Sequence, residues 1–168
     1  MLSPEPLTDY FQKYMPGNVC FGCGPDNPYG LKIKSYWQDE WCVCDFRTGE
    51  KHQGWPGLVC GGIISTLVDC HCMASAMVTA TRNENRALGS EPRCYFATGT
   101  LHVRFIKPTP IETLLTLKAR VTKIRDHRIY TLDCFLSAND ETTVEAEVIA
   151  FLVSESRNQT QNATRFSG

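Results

Sequence analysis

One run in this chain constrains everything around it. From Gly61 to Thr81, apolar residues recur at helical spacing: Ile63, Leu67, Cys70, Ala74 and Met77 on one line, Ile64, Val68 and Ala76 on another. No other segment in the body of the chain has the length for a long helix. The run is apolar over much of its circumference, so the helix must be enclosed rather than laid on a surface. What can enclose it is legible on either side. Leu31–Trp37 and Trp41–Phe46 alternate in twos, and so do Thr98–Lys107, Leu114–Ile124, Arg128–Leu136 and Thr143–Val153. Short links join the last three runs, which forces antiparallel pairing. The expected architecture is α+β: one long central helix wrapped by a curved antiparallel sheet of about six strands.

The helix carries an acid. Gly62, Ser65, Thr66, Asp69, Met73 and Ala76 share its remaining face, which is mostly small and polar and suited to border a cleft. Burying a carboxylate without a partner is expensive, so Asp69 is either well hydrogen-bonded or used. A loop punctuated by Gly and Pro, His52-Gln-Gly-Trp-Pro-Gly, leads to the Gly61-Gly62 pair that opens the helix. Glycines there let a ligand approach backbone N–H groups where the helix dipole favours negative charge.

Length and charge narrow the class. The 168 residues suit one domain with a real core, and a net charge of -1 gives no general attraction to nucleic acid or an anionic membrane. The N-terminus shows no basic and apolar leader, which points to a cytoplasmic protein. Ser65, Thr66, Asp69, His71 and Ser75 are too many polar groups for a lipid-facing helix over Gly61–Ala80. Without secretion, the glycosylation sequons at Asn158 and Asn162 carry no meaning.

Nine cysteines is an odd count in a chain that is not short, so a disulfide scaffold is a poor reading. Cys20 and Cys23 form a CxxC, while Cys42/Cys44 and Cys70/Cys72 form CxC pairs. A structural zinc site usually wants two CxxC-like pairs, or one plus paired histidines, so no metal is expected. The thiols read as small apolar residues in a reduced protein.

The organisation is a lead-in over 1–19, with Leu7, Tyr10, Phe11 and Tyr14 suggesting a short docked helix. The main domain follows over 20–154, opening on a turn-rich loop from Gly22 to Gly30. A polar tail over 155–168 is expected to fray.

Three stretches together resemble a known family. They are the loop-Gly-Gly-helix-Asp motif, Thr98-Gly-Thr-Leu-His-Val-Arg-Phe-Ile-Lys-Pro-Thr-Pro, and Cys-Phe-Gly-Cys-Gly-Pro-Asp-Asn-Pro-Tyr-Gly-Leu at 20–31. Over about residues 20–153 the chain resembles the hotdog-fold acyl-CoA thioesterases, in particular the PaaI-like, phenylacetate-degradation type. The resemblance implies hydrolysis of an acyl thioester without metal or cofactor. It also implies a homodimer or dimer of dimers with active sites shared between subunits. Asp69 would match the carboxylate that activates water or attacks the thioester. Gly61 would match the N–H that polarises the carbonyl. Thr98, at the start of its strand, would match a water-holding hydroxyl contributed by the neighbouring subunit. Gly62, Cys60, His52 and Gln53 would border the substrate, with His52 and Gln53 as side-chain donors.

The chain departs from the family's His-Gly-Gly at one position: Cys60 stands where the histidine is expected. A thiol at a helix N-terminus can be a nucleophile, but no histidine follows at a spacing that pairs with it. A compact apolar replacement is the plainer reading. The alternative to an enzyme is a protein that holds an acyl thioester without cleaving it. A hotdog hydratase would usually need the missing histidine. His102 and the basic stretch Lys118, Arg120, Lys123, Arg125 and Arg128 read as solvated strand faces.

Overall fold

A computed structural model of the chain describes residues 9–156. A single 3-10 turn, Phe11–Tyr14, precedes β1 (Ser35–Gln38) and β2 (Trp41–Arg47). A second short turn, Glu50–His52, leads to helix α1 (Gly61–Asn83). Then come β3 (Arg93–Phe105), β4 (Leu114–Arg125), β5 (Ile129–Ala138) and β6 (Glu141–Ser156). The six strands form one antiparallel sheet in the order β1-β2-β4-β5-β6-β3, so β1 and β3 are its edges.

The helix is enclosed as its composition requires. Leu67, Val68, Cys72 and Ala76 are fully buried, and so are Leu115, Leu117, Leu132, Leu136, Val144 and Val148 from the sheet. Burial on β5 alternates without a break, with Tyr130, Leu132, Cys134, Leu136 and Ala138 facing inward. By length and hydropathy α1 could cross a bilayer, but it is the core helix of this sheet, with 61% of its most apolar window buried.

Burial on α1 is broader than its apolar lines suggest. His71 has no exposed surface. Its Nε2 bonds the Cys42 carbonyl at 3.0 Å and its Nδ1 meets Ser35 Oγ at 2.9 Å. Gln12 Nε2 donates to the same hydroxyl at 3.1 Å, and Gln12 Oε1 accepts the Ser35 N–H at 2.8 Å. With the Nε2–H tautomer every group in this line is satisfied. It ties the N-terminal turn, β1, α1 and β2 together. Phe11 packs edge-on against Trp37 with ring centres 5.7 Å apart, so the expected docked segment is present as one 3-10 turn. Residues 1–8 of the lead-in and 157–168 of the polar tail lie outside the described residues.

Two strand boundaries move, each for a local reason. The first strand begins at Ser35 rather than Leu31 because Leu31 N–H donates to the Phe21 carbonyl and Ile33 N–H to the Gly22 carbonyl. Lys32 between them adopts φ 52, so this segment is fastened to the CxxC loop instead of the sheet. β3 begins at Arg93 rather than Thr98 because β6 runs on to Ser156 and pairs with it. Thr98 is therefore a mid-strand residue. A register shift falls between Thr98 and Thr100, where a side chain at Gly99 would overlap the Phe151 ring. Such bulges re-aim neighbouring side chains.

The CxxC loop lies directly on α1. A Cβ at Gly22 would overlap Cys70 Sγ and come 2.9 Å from Thr66 Cγ2. Gly22→Ala should therefore lower stability by about 1–3 kcal/mol, the usual cost of overpacking. Urea unfolding of the variant beside the parent measures it, and equal midpoints would show that the loop is not seated on the helix.

Candidate active site

Asp69 projects from the middle of α1 and is half-buried. Its carboxylate accepts a short hydrogen bond from Thr98 Oγ1 on β3. Burial raises the Asp69 pKa, the Thr98 hydroxyl opposes that by favouring the ionised form, and the nearby Cys20 thiol adds to the rise. Beside it lies a cavity of about 440 Å³ lined by Cys20, Met73, Met77, Tyr95 and Phe96 among others, and by Asp69 itself. An acid held partly out of water, oriented by a hydroxyl and facing an apolar hollow, can take a proton from water or attack an electrophile.

The start of α1 is a separate constellation. Cys60 is the residue before the first helical turn (φ −58, ψ 130), and its thiol makes no capping hydrogen bond. Its N–H donates to the His52 carbonyl at 2.8 Å, and its carbonyl accepts the Ile64 N–H at 3.1 Å. The N–H groups of Gly61, Gly62 and Ile63 have no carbonyl partner inside the helix, as in any first turn. Gly61 and Gly62 are exposed, and the nearest atoms to a Cβ at Gly61 would be those of the Phe105 ring. Ser65 and Thr66 donate their hydroxyls back to the Gly61 and Gly62 carbonyls, each at 2.9 Å. What remains at this end is a small surface of outward N–H groups, suited to an oxyanion.

His52 and Gln53 shape the approach. His52 is 6% exposed and packs on the Phe46 ring. Its Nδ1 accepts the Gly49 N–H at 3.1 Å, and its buried Nε2 has no partner among the described residues. Burial and the neighbouring Lys51 charge lower its pKa, which favours the neutral ring, and with Nδ1 accepting the Gly49 N–H the ring proton lies on Nε2. Gln53 Oε1 accepts the Gly57 N–H at 2.6 Å, inside the loop where Gly57 adopts φ 82. Its carbonyl therefore holds the loop, leaving only its amide N–H for a ligand.

The two constellations are distinct. Gly61 and Asp69 are eight residues apart on one helix, which separates them by about 12 Å along the axis at roughly 1.5 Å per residue. One acyl carbon cannot touch both within a chain. Thr98 departs from expectation as well. It was expected from a neighbouring subunit, yet it bonds Asp69 of its own chain. Among the basic residues, Arg120 lies over the Trp41 ring at 4.6 Å. His102 is exposed on β3.

One cluster went unread in the sequence. Cys70 joins Cys20 and Cys23, with the three sulfurs within 4.8 Å of one another. The CxC spacing of Cys70 and Cys72 pointed elsewhere, and Cys72 instead faces the core. The signal that could have found the trio is that Cys70 directly follows the acid on α1.

No protein-family model matches the chain. It is similar to acyl-coenzyme A thioesterase THEM4 of Rattus norvegicus, 25% identical over 114 residues, covering 66% of this chain and 42% of that protein. The chain thus spans less than half the length of the curated relatives it matches. Among solved structures it is similar to a thioesterase superfamily protein from Shewanella loihica PV-4. There the identity is 29% and the TM-score 0.58, covering 73% of this chain and 91% of that one. It shares its fold, at 13% identity and TM-score 0.61, with the PaaI protein of the E. coli phenylacetic acid degradation operon, over 75% and 83% of the two chains. The enclosed helix and six-stranded antiparallel sheet of the described residues give this chain the hotdog fold, and these similarities relate it to the thioesterase superfamily proteins that share it.

Proposed function

We propose that this chain hydrolyses an acyl-CoA thioester to a free acid and a thiol, as a PaaI-like thioesterase. The observation that carries the reading is the Thr98–Asp69 pair, held at the rim of an apolar cavity in a chain similar to acyl-coenzyme A thioesterases. Asp69 takes a proton from water as the water oxygen attacks the thioester carbon, and Thr98 orients the carboxylate. The tetrahedral oxyanion accepts from the Gly61 N–H and then expels the thiolate. Direct attack by Asp69 would instead form an anhydride. Single-turnover hydrolysis in heavy-oxygen water separates the two routes, because only the anhydride route labels Asp69.

The oxyanion donor comes from a second copy. The ~12 Å between Gly61 and Asp69 along the helix supports a Gly61 contributed by another copy. β3 is a sheet edge with an unpaired side, and Leu101, Phe105 and Ile106 are 37%, 55% and 43% exposed. A long edge of this kind invites pairing. Two β3 edges meeting antiparallel about a two-fold axis run in opposite directions. The end that carries Phe105 beside Gly61 in one copy then falls toward the Thr98–Asp69 segment of the other. The homodimer is the smallest assembly that completes the site.

Thr98→Ala tests the orienting role. Its kcat/KM should fall roughly ten- to hundredfold, from the ~1.5–3 kcal/mol a hydrogen bond to a charged group contributes. The Thr98 hydroxyl lowers the Asp69 pKa, so its loss raises that pKa. The acidic limb of the pH–rate profile should move to higher pH, and an unmoved limb would remove Thr98 from the site.

Gly61→Pro tests the donor. Gly61 is the first helical residue, and the extended backbone of Cys60 already suits a following proline. The change deletes one N–H and leaves the helix intact, so kcat should fall about a hundred- to a thousandfold. Retention of full activity would eliminate the oxyanion role.

A second reading has one observation in its favour: Cys60 in place of the family histidine. If the chain binds acyl-CoA without cleaving it, calorimetry registers binding while no thiol is released.

A further inference from the structure

The proposed chemistry uses none of the three thiols that meet beside Asp69. Cys20 and Cys23 come from the turn-rich loop and Cys70 from α1, fifty residues on. Their sulfurs all lie within 4.8 Å of one another, and Cys20 Sγ is 3.7 Å from Cys70 Sγ. Thiolates bound to tetrahedral zinc at about 2.3 Å sit about 3.8 Å apart, so the observed edge already matches and the others need only a small inward movement. We propose that Cys20, Cys23 and Cys70 form a three-thiolate Zn²⁺ site that pins the loop to α1, with a fourth position open to the cavity that Asp69 also lines.

The surroundings fit thiolates. Cys20 N–H is fixed by Asn18 Oδ1 at 2.9 Å, and Asn18 Nδ2 donates to Cys23 Sγ at 3.4 Å. Such outer contacts orient metal ligands. The loop's glycines are shaped for the same approach. A side chain at Gly22 would overlap Cys70 Sγ, and one at Gly24 would come 2.6 Å from the Cys20 carbonyl. Cys20 is exposed while Cys70 is 6% exposed, so the cluster is open on one side and closed on the other. Loading is Zn²⁺ plus three thiols, giving a zinc tris-thiolate and three protons. It involves no change of oxidation state.

The test uses the full chain, reduced, equilibrated with Zn²⁺ and then desalted. Elemental analysis should find one zinc per chain. Cys20→Ser, Cys23→Ser and Cys70→Ser should each fall toward the level of the triple variant, while Cys60→Ser keeps its zinc. Co²⁺ in place of Zn²⁺ should give a sulfur-to-cobalt charge-transfer band and tetrahedral ligand-field bands, lost in Cys70→Ser with the circular dichroism of the fold unchanged. Three results would overturn the proposal. The first is no zinc above the triple variant in folded protein. The second is zinc retained equally by all variants. The third is a disulfide among the three cysteines in protein that takes up no metal once reduced.

Discussion

Replacing Asp69 with asparagine should lower kcat/KM for acyl-CoA hydrolysis by about a hundred- to ten-thousandfold, the range that general-base assistance supplies. Asparagine is nearly the same shape. Its carbonyl oxygen can still accept from Thr98 Oγ1, so the geometry of the pair survives. The amide cannot take a proton from water or attack a carbonyl at neutral pH. The fold should not suffer. Burial already raises the Asp69 pKa, which means the folded state disfavours its charge. Removing that charge should leave the unfolding midpoint equal or slightly higher, the pattern of a group kept for activity rather than stability. Thiol release from a panel of acyl-CoAs, measured with urea unfolding of the same variant, reads both quantities. Unchanged turnover would sink the assignment of Asp69. Lost turnover with a lowered midpoint would make the acid structural.

The second large effect concerns stability in acid. His71 is fully buried and neutral, with its pKa pushed down to about 4 from 6.5 by burial. Between those values the unfolded chain binds the proton and the folded chain does not. Stability is therefore complete above about pH 6.5, falls as the pH drops toward 4, and loses no more from this group below that. The shift corresponds to about 3 kcal/mol over that window. His52, also lowered by burial, acts in the same direction. Asp69, raised by burial, acts in the opposite one, since its folded form gains stability on protonation. His71→Leu removes the titration but takes the acceptor from the Ser35 O–H, whose oxygen keeps the Gln12 donor, and the imidazole donor from the Cys42 carbonyl, at a cost of about 1–3 kcal/mol for a buried group left unpaired. The variant should be weaker at pH 7 and show a flatter loss of stability between pH 6.5 and 4. A slope as steep as the parent's would assign the acid lability to another group.

The helix and the sheet were legible because each has one dominant period and a buried face. Leu132, Leu136, Val144 and Val148 alternate inward as strands require. The N-terminal boundary of β1 was not legible. Leu31, Lys32 and Ile33 alternate like a strand, but their backbone groups are taken by the CxxC loop, a tertiary contact no local pattern encodes. The position of Thr98 depends on a bulge at Gly99 and on how far β6 extends, which are both facts about pairing. The separation of Gly61 from Asp69 was contained in their spacing along one helix. With Thr98 placed on Asp69 of its own chain, that spacing is what motivates the proposal that a second copy carries the N–H. Cys70 was read with Cys72, its neighbour in sequence, whereas the fold joins it to Cys20 and Cys23.

Co-assembly of two inactive chains tests the central claim most directly. In a dimer of one Asp69→Asn chain and one Gly61→Pro chain, one site has both defects and the other has neither. Thiol release from acyl-CoA by the co-expressed heterodimer, its composition confirmed by mass, should recover to about half that of the parent if each site joins two copies. A heterodimer as inactive as either variant alone would contradict a site built from Asp69 and Thr98 of one chain and Gly61 of another.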